Sequence, residues 1–201
     1  MPEDGLLDAR ALIALLEEAT DRASHPADGS SNGFPALAVQ LHARNVFQWT
    51  RESQVRDPTL SYARVAAIKR EIDASNRERA LLVESIDRLC VSRLRPDERS
   101  GGDGDYVNSE TIGQLADRLS ILTLKRVRTA ARAEQAVGGE RAECLDRVER
   151  ITAQLGYVAE CYDRFLAKLR AGSARMLVWG QFKLYDQSDL TNPEARRGRA
   201  Q

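Results

Sequence analysis

The stretch 140-ERAECLDRVERITAQLGYVAECYDRFLAKLRA-171 decides the architecture. Leu145, Val148, Ile151, Leu155, Val158, Tyr162, Phe165 and Leu169 recur at steps of three and four, the period of one face of an α-helix. A lone helix cannot bury such a stripe, so it must pack on other helices as a core or coiled-coil element.

The segments on either side read the same way. Upstream, Gly138-Gly139 closes a fourth helix that opens in 108-NSETIGQLADRLSILTLK-125, with Asn108 or Ser109 placed to cap its unpaired first amides. Pro96 and the polar run to Asp105 form a mobile surface loop. Before it, a long third helix over residues 59–94 carries Tyr62, Val65, Ile72, Val83, Ile86 and Cys90 at helical spacing. The second helix, residues 35–56, starts with Pro35, whose missing amide hydrogen costs nothing in a first turn, and stops at Asp57-Pro58. A first helix over residues 6–23 is joined to it by a flexible glycine-, proline- and serine-bearing connector, residues 25–33. Beyond Gly172, a short apolar and aromatic segment around Trp179 can cover a bundle end as a lid or serve as a dimer contact.

The fold class is therefore all-α, a helical bundle of four to five helices with antiparallel neighbours. Residues 1–34 make an N-terminal helix and linker, 35–193 the helical domain, and 194–201 a frayed tail.

Composition narrows the partners. The 30 basic and 30 acidic residues cancel, so no net field favours nucleic acid or an anionic membrane surface. The apolar runs are broken by charges well short of the roughly 20 residues a membrane helix needs. Three cysteines without a Cys-x-x-Cys pair read as reduced thiols in a cytoplasmic protein.

Functional chemistry has to come from polar residues set among the stripes. On the second helix His42, Asn45, Trp49 and Glu52 fall at steps of three, four and three, and a histidine and a carboxylate on one stripe can act as acid and base. On the third, Lys69, Asp73, Asn76 and Arg79 share a face, with Asn76 and Arg79 interrupting the seam of Val65, Ile72, Val83 and Ile86. Buried polar groups are costly unless paired, so these must meet one another, water or a ligand. On the fourth, Glu110, Gly113, Asp117 and Ser120 run beside Ile112, Leu115, Leu119 and Leu122, flanked by Arg118 and Lys125. Glycine costs a helix about 1 kcal/mol against alanine, so Gly113 points to close approach of a backbone or ligand. With Asn108, this inventory suits a small polar or anionic ligand. The structural alternative is an internal ion-pair network with a register-setting asparagine, Trp49 as a core anchor and His42 as a partly buried histidine.

These same residues carry a family resemblance. His42 with Asn45, Trp49 and Glu52; Lys69-Arg70 with Ile72-Asp73, Asn76 and Arg79; Asn108-Ser-Glu-Thr with Gly113, Asp117-Arg118 and Leu124-Lys125; and Gln181-Phe-Lys-Leu-Tyr185 before Asn192-Pro193 resemble the bacterial family catalogued as domain of unknown function 4254. The resemblance covers about residues 37–193. It departs at Ile112, where the family pattern has proline, at Trp49-Thr50, and at Tyr185-Asp186. It implies no particular activity, only a setting beside glycan-building or secondary-metabolite genes.

Sharper chemistries are not expected. With only His25 and His42 and no Glu-x-x-His, no metal site is assigned; a carboxylate-only magnesium site at Glu84-x-x-Asp87 is an alternative set aside. Gly101-Gly-Asp-Gly104 lacks the lysine of a phosphate-cradling loop, and no cofactor is assigned. The expected function is a cofactor-independent enzyme of lyase, isomerase or transferase type. It would work by acid-base and electrostatic catalysis on a small metabolite between the second, third and fourth helices. His42, Glu52 and Asp117 would move protons, and Asn45, Trp49, Lys69, Asp73, Asn76, Arg79, Asn108, Glu110, Arg118, Ser120 and Lys125 would hold the ligand. The competing expectation is a non-catalytic binding or scaffold protein that dimerises through the fifth helix at Leu155 and Tyr162.

Overall fold

Every apolar stripe named above needs a partner, and the helix that supplies most of the partnering is α4. The computed structural model describes residues 4–21, 33–94 and 106–178. Within them the chain runs α1 (Ala9–Asp21), α2 (Phe34–Val55), α3 (Tyr62–Leu94), β1 (Tyr106–Val107), α4 (Ile112–Gln135), α5 (Gly138–Arg170) and β2 (Ala174–Arg175). α4 packs on α1, α2, α3 and α5. It can do so because Ile112, Leu115, Leu119 and Leu122 bury one side while Gly113, Ala116, Ser120 and Leu124 bury the adjoining one. The all-α bundle is as the sequence indicates, and its only described strands are two residues each, paired in parallel with Tyr106 opposite Ala174.

Short connections set the packing order. Six residues join α2 to α3 and two join α4 to α5, so each pair folds back on itself as an antiparallel hairpin with extensive contact. Pro35 sits in the first turn of α2 behind Gly33, and Gly138 takes the positive φ of +58° at the start of α5. The α4 start differs from expectation. Its cap is Thr111 rather than Asn108 or Ser109: the Thr111 hydroxyl accepts from the Gln114 amide at 3.2 Å while the Gln114 side chain accepts from the Thr111 amide at 2.8 Å. Asn108 is turned back to donate to the Glu110 carbonyl at 2.8 Å.

α1 shares the one core rather than standing apart. Leu6, Leu7, Leu12 and Leu16 join Phe34, Leu41, Ile86, Leu119, Tyr162 and Phe165 in a single apolar cluster. Its first amides are capped twice, Ala11 by the Asp8 carboxylate and Ala9 by Asp163 of α5, both at 2.7 Å. Tyr162 donates its buried hydroxyl to the Leu7 carbonyl at 3.0 Å, and Arg170 grips Asp4 at 2.6 Å and 3.1 Å.

The α5 repeat is spent inside its own chain. From Leu155 onward the stripe is buried, so Leu155 and Tyr162, at 3% and 0% exposure, are core residues of the chain itself. Toward the helix start the stripe emerges, and Leu145 is exposed. No described helix is long and apolar enough to cross a membrane. The connector at residues 25–32, the loop over 96–105, the segment around Trp179 and the frayed tail lie outside the described residues.

Candidate functional site

Two i, i+3 pairs facing one another, His42 and Asn45 on α2 and Asp117 and Ser120 on α4, make the polar centre of the bundle. Its hydrogen bonds have a fixed direction. Thr20 of α1 donates its hydroxyl proton to the Leu16 carbonyl at 2.8 Å, so its oxygen can only accept from His42 Nε2, also at 2.8 Å. With Nε2 protonated in the neutral ring, Nδ1 accepts from Ser120 Oγ at 2.8 Å. Ser120 in turn accepts from Asn45 Nδ2 at 2.9 Å. Burial pushes the imidazole down to about 4 from 6.5, so the ring stays neutral at ordinary pH. His42 is thus an organiser set behind the surface, 1% exposed, and none of the three cavities described below touches it.

Asn45 carries this buried chain outward. Its Nδ2 also donates to Asp117 Oδ1 at 2.9 Å, and its Oδ1 receives Arg79 Nη1 at 3.4 Å. Arg79 reaches Gln48 Oε1 at 3.4 Å and lies 3.8 Å from Asp117 Oδ2 through Nε. These contacts are long for a guanidinium, whose charge-assisted bonds normally close to about 2.8 Å. Among the described residues its hydrogen bonds all run through Nη1.

Arg79 stands where two cavities meet. One, of ≈ 440 Å³, is lined by Asn76, Arg79, Ala80, Val83, Ser109, Glu110, Gln114, Asp117 and Arg118. The other, of ≈ 290 Å³, lies between α2 and α4 against Asn45, Gln48, Trp49, Glu52 and Arg56. A third cavity of ≈ 440 Å³ continues the first toward the start of α4 and shares Ala80, Val83, Ser109, Glu110 and Gln114 with it; Glu84, Asp87, Val107, Asn108, Thr111, Arg175, Met176 and Leu177 complete its wall. The three form a string along α3. Arg118 crosses the first chamber to Glu110 at 2.8 Å.

The structure therefore gathers Asn76, Arg79, Glu110, Asp117 and Arg118 around one chamber, while Asn45, bonded to Arg79 and Asp117, lines the neighbouring one. Trp49 and Glu52 line the chamber beyond Arg79, and Lys69 reaches that end only by pairing with Glu52 at 3.1 Å. Ser120 is buried in the histidine chain. Asp73 and Lys125 are exposed and line none of the three cavities. The buried seam of α3 runs through Ile68, Ile72, Ser75, Val83, Ile86, Asp87 and Cys90, and Lys69 and Asp73 each follow a seam residue by one position, about 100° around the helix. Lys125 follows the buried Leu124 in the same way.

Asp87, which the sequence offers only as half of the Glu84-x-x-Asp87 pair, is a buried residue in the structure. It is 4% exposed, accepting from Gly113 N at 2.6 Å and from Thr111 Oγ1 at 2.7 Å at the first turn of α4. Burial pushes its carboxyl up to about 6, against the two hydrogen bonds that favour the charged form and with the help of nearby Glu84. Gly113 is explained by the same contact. A Cβ there would lie 2.5 Å from the Val83 carbonyl and 2.8 Å from Asp87 Oδ1, so the close approach inferred from the sequence is that of α3. The signal that could have exposed Asp87 was this pairing of a helix-start glycine with an acid on the neighbouring helix. Among the described residues no group of three or more His, Cys, Asp or Glu could hold a metal ion.

A family profile described as "Protein of unknown function (DUF4254)" matches residues 35–178. The chain belongs to this family. The DUF4254 span takes in every residue lining the three chambers and leaves out α1, whose Thr20 anchors the histidine chain. No curated protein and no solved structure matches the chain.

Proposed function

We propose that the protein is a cofactor-independent enzyme that binds a small metabolite bearing an anionic group in the chamber between α3 and the first half of α4. The observation that carries this reading is Arg79, a half-buried guanidinium at the meeting of two cavities whose hydrogen bonds and ion pair are all long. Such a group attracts a carboxylate or phosphate strongly, because its planar fork of donors matches those oxygens. Asp117, held through Oδ1 by Asn45, would be the proton-moving group, with His42 and Ser120 fixing the orientation of Asn45 instead of exchanging protons with substrate. Glu52 and Lys69 would contribute only where a ligand extends into the chamber beyond Arg79. The free thiols of Cys90, Cys144 and Cys161 support a reducing, cytoplasmic setting, and a biosynthetic role goes with a small-metabolite site.

Calorimetric titration of the full chain with inorganic phosphate and with phosphorylated and carboxylated metabolites tests this. Arg79→Ala is expected to weaken anion binding at least ten-fold, and Asp117→Asn to bind the ligand so identified while losing its turnover. Binding untouched by Arg79→Ala, or turnover untouched by Asp117→Asn, would overturn the reading.

A further inference from the structure

The chamber holding Arg79 and the one holding Asp87 share five lining residues, so they are two parts of one trough with Gln114 and Glu110 at the join. Arg79 and Asp87 are eight residues apart on α3, a rise of roughly 12 Å. Asp87 is fixed: Gly113 N and Thr111 Oγ1 each use one of its oxygens, and each oxygen keeps a second acceptor site. The wall between the two ends is partly apolar, formed by Ala80 and Val83 from α3.

We propose that Asp87 is the second anchor of the ligand: the site takes an elongated anion whose charged head meets Arg79 and whose far end presents a hydroxyl donor to the Asp87 carboxyl. This rests on the anion site assigned to Arg79 and adds the length and far-end chemistry of the ligand. A carboxyl raised to about 6 is suited to the role, since it accepts from a hydroxyl when charged and can donate when neutral.

The test compares three probes by calorimetric titration of the full chain: inorganic phosphate, hexyl phosphate, and sorbitol 6-phosphate, which has the same chain length with hydroxyls along it. Sorbitol 6-phosphate is expected to bind at least ten-fold more tightly than hexyl phosphate. Asp87→Asn is expected to reduce that advantage at least three-fold, because a neutral amide replaces the charged acceptor, while inorganic phosphate binding stays within two-fold, because the asparagine Oδ1 can still accept from Gly113 N. Equal binding of the two esters, or an advantage that Asp87→Asn reduces less than three-fold, overturns the second anchor and leaves the Arg79 site standing. Absence of binding by any probe, or binding indifferent to Arg79→Ala, overturns both. A wild-type crystal soaked in sorbitol 6-phosphate decides the matter without a variant. Phosphate beside Arg79 with the chain running past Gln114 to Asp87 supports the assignment, and a chain turned toward Trp49 or into solvent overturns it.

Discussion

Ser120 Oγ donates to His42 Nδ1 at 2.8 Å, and the opposite ring nitrogen can only donate to Thr20, whose own proton is committed to Leu16. The polar centre is therefore a one-way chain linking α4, α2 and α1, and its members fail in different ways when removed.

Thr20→Val keeps the volume but strands the His42 Nε2 proton in a buried site. An unsatisfied buried donor costs about 1–3 kcal/mol, so urea denaturation at pH 7 should show a loss of that size, and Thr20→Ser should recover most of it. A Thr20→Val protein as stable as wild type would mean that the chain does not run through α1.

The same enclosure makes His42 a liability in acid. Its folded-state value of about 4 lies below 6.5, so the stability it lends is present above pH 6.5 and is lost as pH falls toward 4. At pH 5 the loss is about 2 kcal/mol by linkage. Asp87 acts in the opposite direction: with its value raised to about 6 from 3.8, its contribution is full below pH 3.8 and is lost as pH rises through 6. Stability measured from pH 4 to 7 should fall less steeply toward acid in His42→Gln than in wild type, and more steeply in Asp87→Asn. Parallel profiles for all three proteins would count against both assignments.

Gly113→Ala sets helix propensity against geometry. Alanine favours the helix by about 1 kcal/mol, but its Cβ would meet the Val83 carbonyl at 2.5 Å, and a backbone oxygen cannot rotate away as a side chain would. Forcing α3 and α4 apart should win, for a net destabilisation of about 1–3 kcal/mol by denaturant unfolding. A stabilised variant would show that the two helices separate freely.

Leu155→Asp places a charge where 3% of the residue is exposed, and the expected result is loss of the folded state by circular dichroism. Leu145→Asp, on the emergent part of the same stripe, should melt within about 0.5 kcal/mol of wild type. A dimeric wild type that Leu155→Asp converts to a folded monomer, seen by light scattering, would instead restore the dimer seam expected from the heptads.

How much of this could be read from the chain depends on what each signal measures. Periodicity reports which residues face inward, and in α5 it named Leu155, Val158, Tyr162, Phe165 and Leu169 correctly as one buried face. It cannot report which partner they face, so a core stripe and a dimer seam looked alike. On α3 the seam runs through Ile68, Ile72 and Ser75, and a small hydroxyl at a seam position gives no apolar signal, so spacing alone does not separate the cavity-lining Asn76 from the exposed Asp73 on the same face. Asn45, Arg79 and Asp117 were legible because polar residues break an apolar register on three helices that do meet. Asp87 was not, because a carboxylate buried against a helix start has the same spacing as one in solvent, and only the tertiary contact with Gly113 distinguishes them.

The strand pair that joins Tyr106 to Ala174 has a bearing on the order in which the molecule is assembled. Arg175, Met176 and Leu177 wall the Asp87 chamber, and the Met176 sulfur sits 3.4 Å from the Ile112 amide. During synthesis from the N-terminus, α3 and α4, the two helices that line the trough, are complete before these three residues have been added. The trough's last wall is thus added only after every described helix has been made, and a chain ending at Ser173 would lack that wall together with the core residues Ala174 and Met176.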